Sequence, residues 1–120
     1  MRLIANMIFV GLAASLAVAQ AAVAPDEKGP ARRAYRAECV KFEPQGYCEC
    51  ITAGFAQDLT IPELALARQN VRFTHVSSAS AQRAAGVEMT RTLPDPEERQ
   101  SALTRIAALE TELQESCGAP

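Results

Sequence analysis

The sequence predicts an all-α protein: a small bundle of about four helices, stapled by two disulfides and preceded by a signal peptide. Three observations lead there. Apolar residues recur at helical spacing, most clearly as Leu103, Ile106, Leu109 or Glu110, Leu113 and Cys117. No stretch alternates or clusters in the way a strand would, and no repeat or low-complexity tract interrupts the pattern. The four cysteines, Cys39, Cys48, Cys50 and Cys117, are an even set behind an apolar leader, the arrangement of a disulfide framework in an oxidising compartment.

The leader comes first. Arg2 is the only charge before Asp26, and an apolar run from Leu3 to Ala19 ends in small residues. A charged start, an apolar middle and an A-x-A end predict secretory cleavage near Ala19 or Ala21. The competing reading, an uncleaved membrane anchor, suffers from an alanine-rich last third with Gln20, too weakly apolar to stop transfer. The expected layout is a signal peptide at 1–21, a linker at 22–30 containing Pro25, Gly29 and Pro30, and one helical domain at 31–120, with no membrane span after cleavage. The chain carries net charge −2, and −3 without Arg2. That balance argues against nucleic acid, whose binding rests on phosphate neutralisation. Ten arginines against two lysines suggest a GC-rich bacterial source, so periplasm is the expected location.

The first helix is expected from about Pro30, a good early helical residue, with Tyr35, Cys39 and Phe42 on one apolar stripe and its end at Pro44. A second runs from about Tyr47 to Leu59, burying Ile51, Phe55 and Leu59. Gly54 within it costs about 1 kcal/mol against alanine and implies close approach of a neighbouring helix or of Tyr47. Thr60-Ile61-Pro62-Glu63 is a capping box that starts a third helix, to about residue 72. Between Phe73 and Thr92 the periodicity is poor; a short helix over 78–85 stopped by Gly86 is one expectation, with 87–89 extended or helical. Asp95-Pro96-Glu97-Glu98 starts the last helix, and Gly118 ends it.

Cys48 and Cys50 are two apart on a helix, so their side chains diverge by about 200° and cannot bond each other there. Reflecting Cys39 through the turn between Pro44 and Gln45 lands on Cys50, which favours Cys39–Cys50 with Cys48–Cys117. The alternative is Cys39–Cys48 with Cys50–Cys117. Either one ties the end of the last helix beside the bend, with the first and last helices parallel and the second antiparallel to both.

Other chemistry is sparse. Cys48-Glu49-Cys50 is not the C-x-x-C of a catalytic disulfide, and the cysteine spacing does not suit zinc. Copper accepts C-x-C thiolates, but His75 and Met89 are meagre company for it. No cofactor, metal or catalytic residue is therefore expected. His75 is the only histidine and reads as a capping or solvated group. Glu110, Glu112 and Glu115 read as a solvated helix face. Arg32, Arg33 and Arg36 either pair with the acids of the last helix or form a contact patch for an acidic partner or anionic headgroups.

Cys39, the Pro44-Gln45-Gly46 turn, Tyr47-Cys48-Glu49-Cys50 and Leu59-Thr60-Ile61-Pro62-Glu63 resemble the corresponding stretches of small secreted helical proteins of Gram-negative bacteria, most without assigned activity. The resemblance covers about residues 39–66 and carries no catalytic residue. The resulting expectation is a non-enzymatic periplasmic protein that binds or supports another envelope component. A thiol redox or copper-handling protein and a periplasmic inhibitor or immunity-type protein are the alternatives.

Overall fold

The structure is a computed structural model that describes residues 26–120; the expected signal peptide and the start of the linker lie outside the described residues. Those described are 80% helical, in five helices without strands. They are α1 (Gly29–Cys39), α2 (Gln45–Asp58), α3 (Ile61–His75), α4 (Ala79–Thr92) and α5 (Pro96–Cys117). None is long and apolar enough to cross a membrane. Gly29 and Pro30, expected in the linker, already form the first turn of α1.

Start signals act as their chemistry dictates. The Glu63 N–H donates to Thr60 Oγ1 (3.3 Å) and the Thr60 N–H to Glu63 Oε1 (2.9 Å), the reciprocal capping box that opens α3. Asp95 accepts the Glu98 N–H at 2.8 Å to open α5. Gly118, at φ +83°, ends α5 and returns its N–H to the Gln114 carbonyl.

Three helix ends differ from expectation. The first helix stops at Cys39, because the Lys41 and Phe42 N–H groups bond Glu38 and Cys39 carbonyls and tighten the chain into a turn. Phe42 thus leaves the apolar stripe and lies half-exposed on the bend. In the region of poor periodicity, α3 runs on to His75 and α4 is one continuous helix. Gly86 does not stop α4; a Cβ there would lie 3.6 Å from the Phe73 ring, so Gly86 is where α4 lies against α3. The pattern was weak because α4 buries little, chiefly Ala85 and Met89.

Helix α3 is central, packed by α1, α4 and α5. It carries two stripes, Leu64, Ala67 and Val71 on one side and Leu66, Gln69 and Phe73 on another, which suits a helix enclosed from several directions. Tyr35 and Phe55 meet edge-on at 5.2 Å between α1 and α2. Buried Gln69 is satisfied by Thr92 of α4 at 2.8 Å. Thr52 is buried in α2, and its hydroxyl has no hydrogen-bond partner among the described residues. Thr52→Val keeps the shape and removes an unsatisfied group, so thermal melts should show an unchanged or higher Tm, by up to about 1 kcal/mol of stability.

The disulfides are Cys39–Cys48 and Cys50–Cys117, which corrects the favoured pairing. The reflection placed the middle of the turn too late. With α1 ending at Cys39 and α2 starting at Gln45, the first inward-facing position of α2 is Cys48, fully buried against Cys39. Cys50 projects on another side of α2 and meets α5 instead.

Paired contacts give the directions. Cys50 meets Cys117, the Gly54 position faces Leu113, and the Asp58 carbonyl accepts Arg105, so α2 and α5 are antiparallel. A Cβ on Gly54 would fall within 2.6 Å of Leu113 Cδ1, which accounts for the glycine by close helix approach. The contacts Glu38–Arg72 and Glu43–His75 align α1 with α3. Helices α1, α3 and α5 therefore point the same way, with α2 and α4 reversed. The expected parallel sense of the first and last helices holds, but α5 packs on α2, α3 and α4 rather than on α1.

Candidate functional site

The bend after α1 closes one end of the bundle and builds the site. Pro44 starts α2 abruptly, so Phe42 and Glu43 are thrust over the last turn of α3. The Phe42 ring stacks on the His75 imidazole at 5.0 Å, and Glu43 Oε1 lies 2.8 Å from His75 Nε2. His75 Nδ1 lies 2.8 Å from the Val71 carbonyl one turn back. Both ring nitrogens thus face oxygen acceptors, an arrangement that only the imidazolium satisfies. Burial opposes that charge, but the Val71 carbonyl and the Glu43 carboxylate outweigh it and raise the His75 pKa above its ordinary value.

Inside the bend lies a partly enclosed cavity of about 190 Å³, walled by Tyr35 of α1, Glu43, Tyr47 of α2, Val71 and His75 of α3, and Glu110 of α5. Tyr47 Oη accepts a hydrogen bond from Gln114 at 3.1 Å. Tyr35 is 2% exposed, and its hydroxyl has no hydrogen-bond partner among the described side chains. Burial pushes both phenols upward in pKa, Tyr35 the further.

Glu110 corrects an expectation. It does not share the solvated face of Glu112 and Glu115, which are exposed; it is half-buried on the cavity wall. Burial raises its pKa, the charge on His75 opposes that rise, and Glu43 adds to it. A carboxyl raised in the folded state costs no stability below its ordinary value of 4.5, and an increasing amount as pH climbs through the raised one. Glu110→Gln should therefore raise Tm at pH 7 and leave it unchanged near pH 4, measured by melting both proteins across that range.

The sequence-derived residues are dispersed. Arg32 pairs with Asp26 at 2.7 Å and Arg36 with Glu49 of α2 at 2.9 Å, not with the acids of α5, because α1 and α5 do not pack together. Arg33 remains exposed on the same helix. Thr74 Oγ1 lies 3.1 Å from His75 Nδ1, but that hydroxyl is engaged by the Asn70 and Val71 carbonyls. With its ring nitrogens committed to Val71 and Glu43, His75 has no lone pair with which to activate a nucleophile. Among the described residues no three of His, Cys, Asp and Glu converge to hold a metal ion.

No local spacing in the sequence brings the residues of this site together. Its one visible trace is Glu110, which takes a slot in the apolar stripe between Ile106 and Leu113. No protein-family model matches the chain, no curated protein matches it, and no solved structure matches it.

Proposed function

We propose that the protein is a non-enzymatic, disulfide-stapled helical module of the periplasm that binds or supports another component of the cell envelope. The observation that carries this reading is the use of all four cysteines in two bridges, one fully buried in the core. Such bridges fit an oxidising compartment and a structural role. A redox or copper-handling protein would need accessible thiols, and here Cys39 and Cys48 are sealed beneath the bend while the more exposed Cys50 and Cys117 are bonded to each other. The committed ring nitrogens of His75 support binding over acid–base chemistry, and the cavity beside half-exposed Phe42 and Val40 offers a recognition surface at that end.

Two measurements test this. Alkylation of the native oxidised protein, purified from the periplasmic fraction, should label no cysteine, and in-cell cross-linking should join it reproducibly to one envelope component. Labile thiols with copper uptake, or recovery of the chain only from the cytoplasm, would overturn the reading.

A further inference from the structure

The cavity at the bend has a charge imbalance that its own residues do not correct. Glu43 is matched by His75, whereas Glu110 on the opposite wall has no ion pair among the described residues. The groups facing Glu110 from the elements around it are Tyr35 of α1, Glu43 of the bend, Tyr47 of α2 and His75 of α3, with Gln114 of its own helix committed to Tyr47. Counting the imidazolium, the site carries a net negative charge. Helices α1, α3 and α5 also end here, each with roughly half a negative charge at its C-terminus, and the half positive charge at the start of α2 offsets only one of them. Independently, the Tyr35 hydroxyl reaches this cavity from a side chain that is 98% buried without finding a partner among the described residues. Its oxygen is not sealed in the core, where Thr52 Oγ1 alone among the described residues lies buried without a partner, so it stands open on the cavity side to an incoming group.

We propose that this cavity is a binding site for an alkylammonium group, with Glu110 as its counter-ion, Tyr35 Oη as a hydrogen-bond acceptor and the two tyrosine rings as its walls. A volume near 190 Å³ corresponds to roughly six water molecules at about 30 Å³ each, room for an ammonium on a four-carbon stem. Tyrosine faces attract cations within about 6 Å of the ring, and Val71 gives the stem an apolar contact. A bare divalent ion would find too few oxygens, since Ca²⁺ takes six to eight. The ammonium comes either as a free amine or as a lysine side chain of a protein partner; the latter deepens the binding-module reading and rests on it.

The probe is n-butylammonium, titrated into the oxidised protein while the tyrosine and His75 ring resonances are followed by NMR. Saturable shifts confined to these rings are expected, with none from 1-butanol, its neutral counterpart with the same number of heavy atoms. Glu110→Gln, which should fold at least as well as the parent, should weaken binding about tenfold or more, as loss of a charged hydrogen bond does. Tyr35→Phe should weaken it less. A second titration with N-acetyl-lysine methylamide separates the sources: equal or tighter binding assigns the site to a partner's lysine, and binding of n-butylammonium alone assigns it to a free amine. Absence of saturable binding by both cations, equal response to 1-butanol, or indifference to Glu110→Gln overturns the proposal. Saturable amine binding without any cross-linked envelope partner would sink the broader functional reading and leave the cavity assignment standing.

Discussion

Cys117→Ser should lower Tm by about 15–30 °C and leave Cys50 free to form intermolecular disulfides. The Cys50–Cys117 bridge spans 67 residues in sequence, and the chain-entropy relation gives about 4 kcal/mol for a loop of that length, against about 3 kcal/mol for the nine-residue separation of Cys39–Cys48. For a domain of this size 1 kcal/mol moves Tm by about 4–8 °C. The end of α5 needs the tie. Glu112 and Glu115 lie exposed in its last turns, where a negative charge opposes the helix dipole by about 0.3–1 kcal/mol each, and no basic residue offsets them. Fraying from Cys117 back towards Glu110 would also open the cavity, so hydrogen exchange over 108–117 should accelerate in the variant before the rest of the bundle responds. Cys39→Ser should cost less through loop entropy, with an added packing loss because Cys39 and Cys48 are core residues. Melting both variants beside the parent under non-reducing conditions separates the two terms. If Cys117→Ser melts with the parent, the terminal bridge does not hold this fold together.

Arg72→Met should destabilise the protein by about 3 kcal/mol at pH 7. Glu38 of α1 is 4% exposed and depends on the Arg72 guanidinium of α3 at 2.7 Å, with Lys41 farther off at 3.5 Å. Removing one partner of a buried pair strands the other charge and typically costs about 3–5 kcal/mol; the residual attraction of Lys41 places this case at the low end. Burial alone would raise the Glu38 pKa, but the hydrogen bonds and charges of Arg72 and Lys41 prevail and hold it below the ordinary 4.5. Its stabilising contribution is thus complete above that value and fades as pH falls through the lower folded one. The gap between parent and Arg72→Met should be widest at neutral pH and narrow as pH falls through the lowered Glu38 value, below which Glu38 is protonated in the parent as well. The double variant Glu38→Leu/Arg72→Met should recover most of the loss, since no charge remains to strand. Urea melts at three pH values decide it, and a gap that widens in acid would refute the assignment.

Much of this bundle is local, and local features are legible. The capping box at Thr60, the Asp95-Pro96 start, Gly118 and the α5 stripe each act within one or two helical turns, so residue spacing is sufficient to read them. The α2 glycine is partly of this kind: Gly54 announces a close approach, and the structure supplies Leu113 as the neighbour. Helix α4 was obscure because periodicity records burial, and a helix that buries only Ala85 and Met89 writes little of it.

The sequence by itself determined the helical class, most helix starts, and the presence of two bridges that cannot join Cys48 to Cys50. Tertiary structure decided which cysteine faces which. A shift of a few residues in where α1 stops turns Cys48 inward and Cys50 towards α5, and that stop is set by backbone bonds in the turn. It likewise decided that Arg36 meets Glu49 rather than the acids of α5, because helices that run parallel need not be neighbours. The cavity is wholly tertiary: Tyr35, Glu43, Tyr47, His75 and Glu110 come from four helices and a bend. A helical period fixes only the angle at which a side chain leaves its own axis. What it meets there depends on how the axes pack, and the long loop closed by Cys117 fixes that for α5.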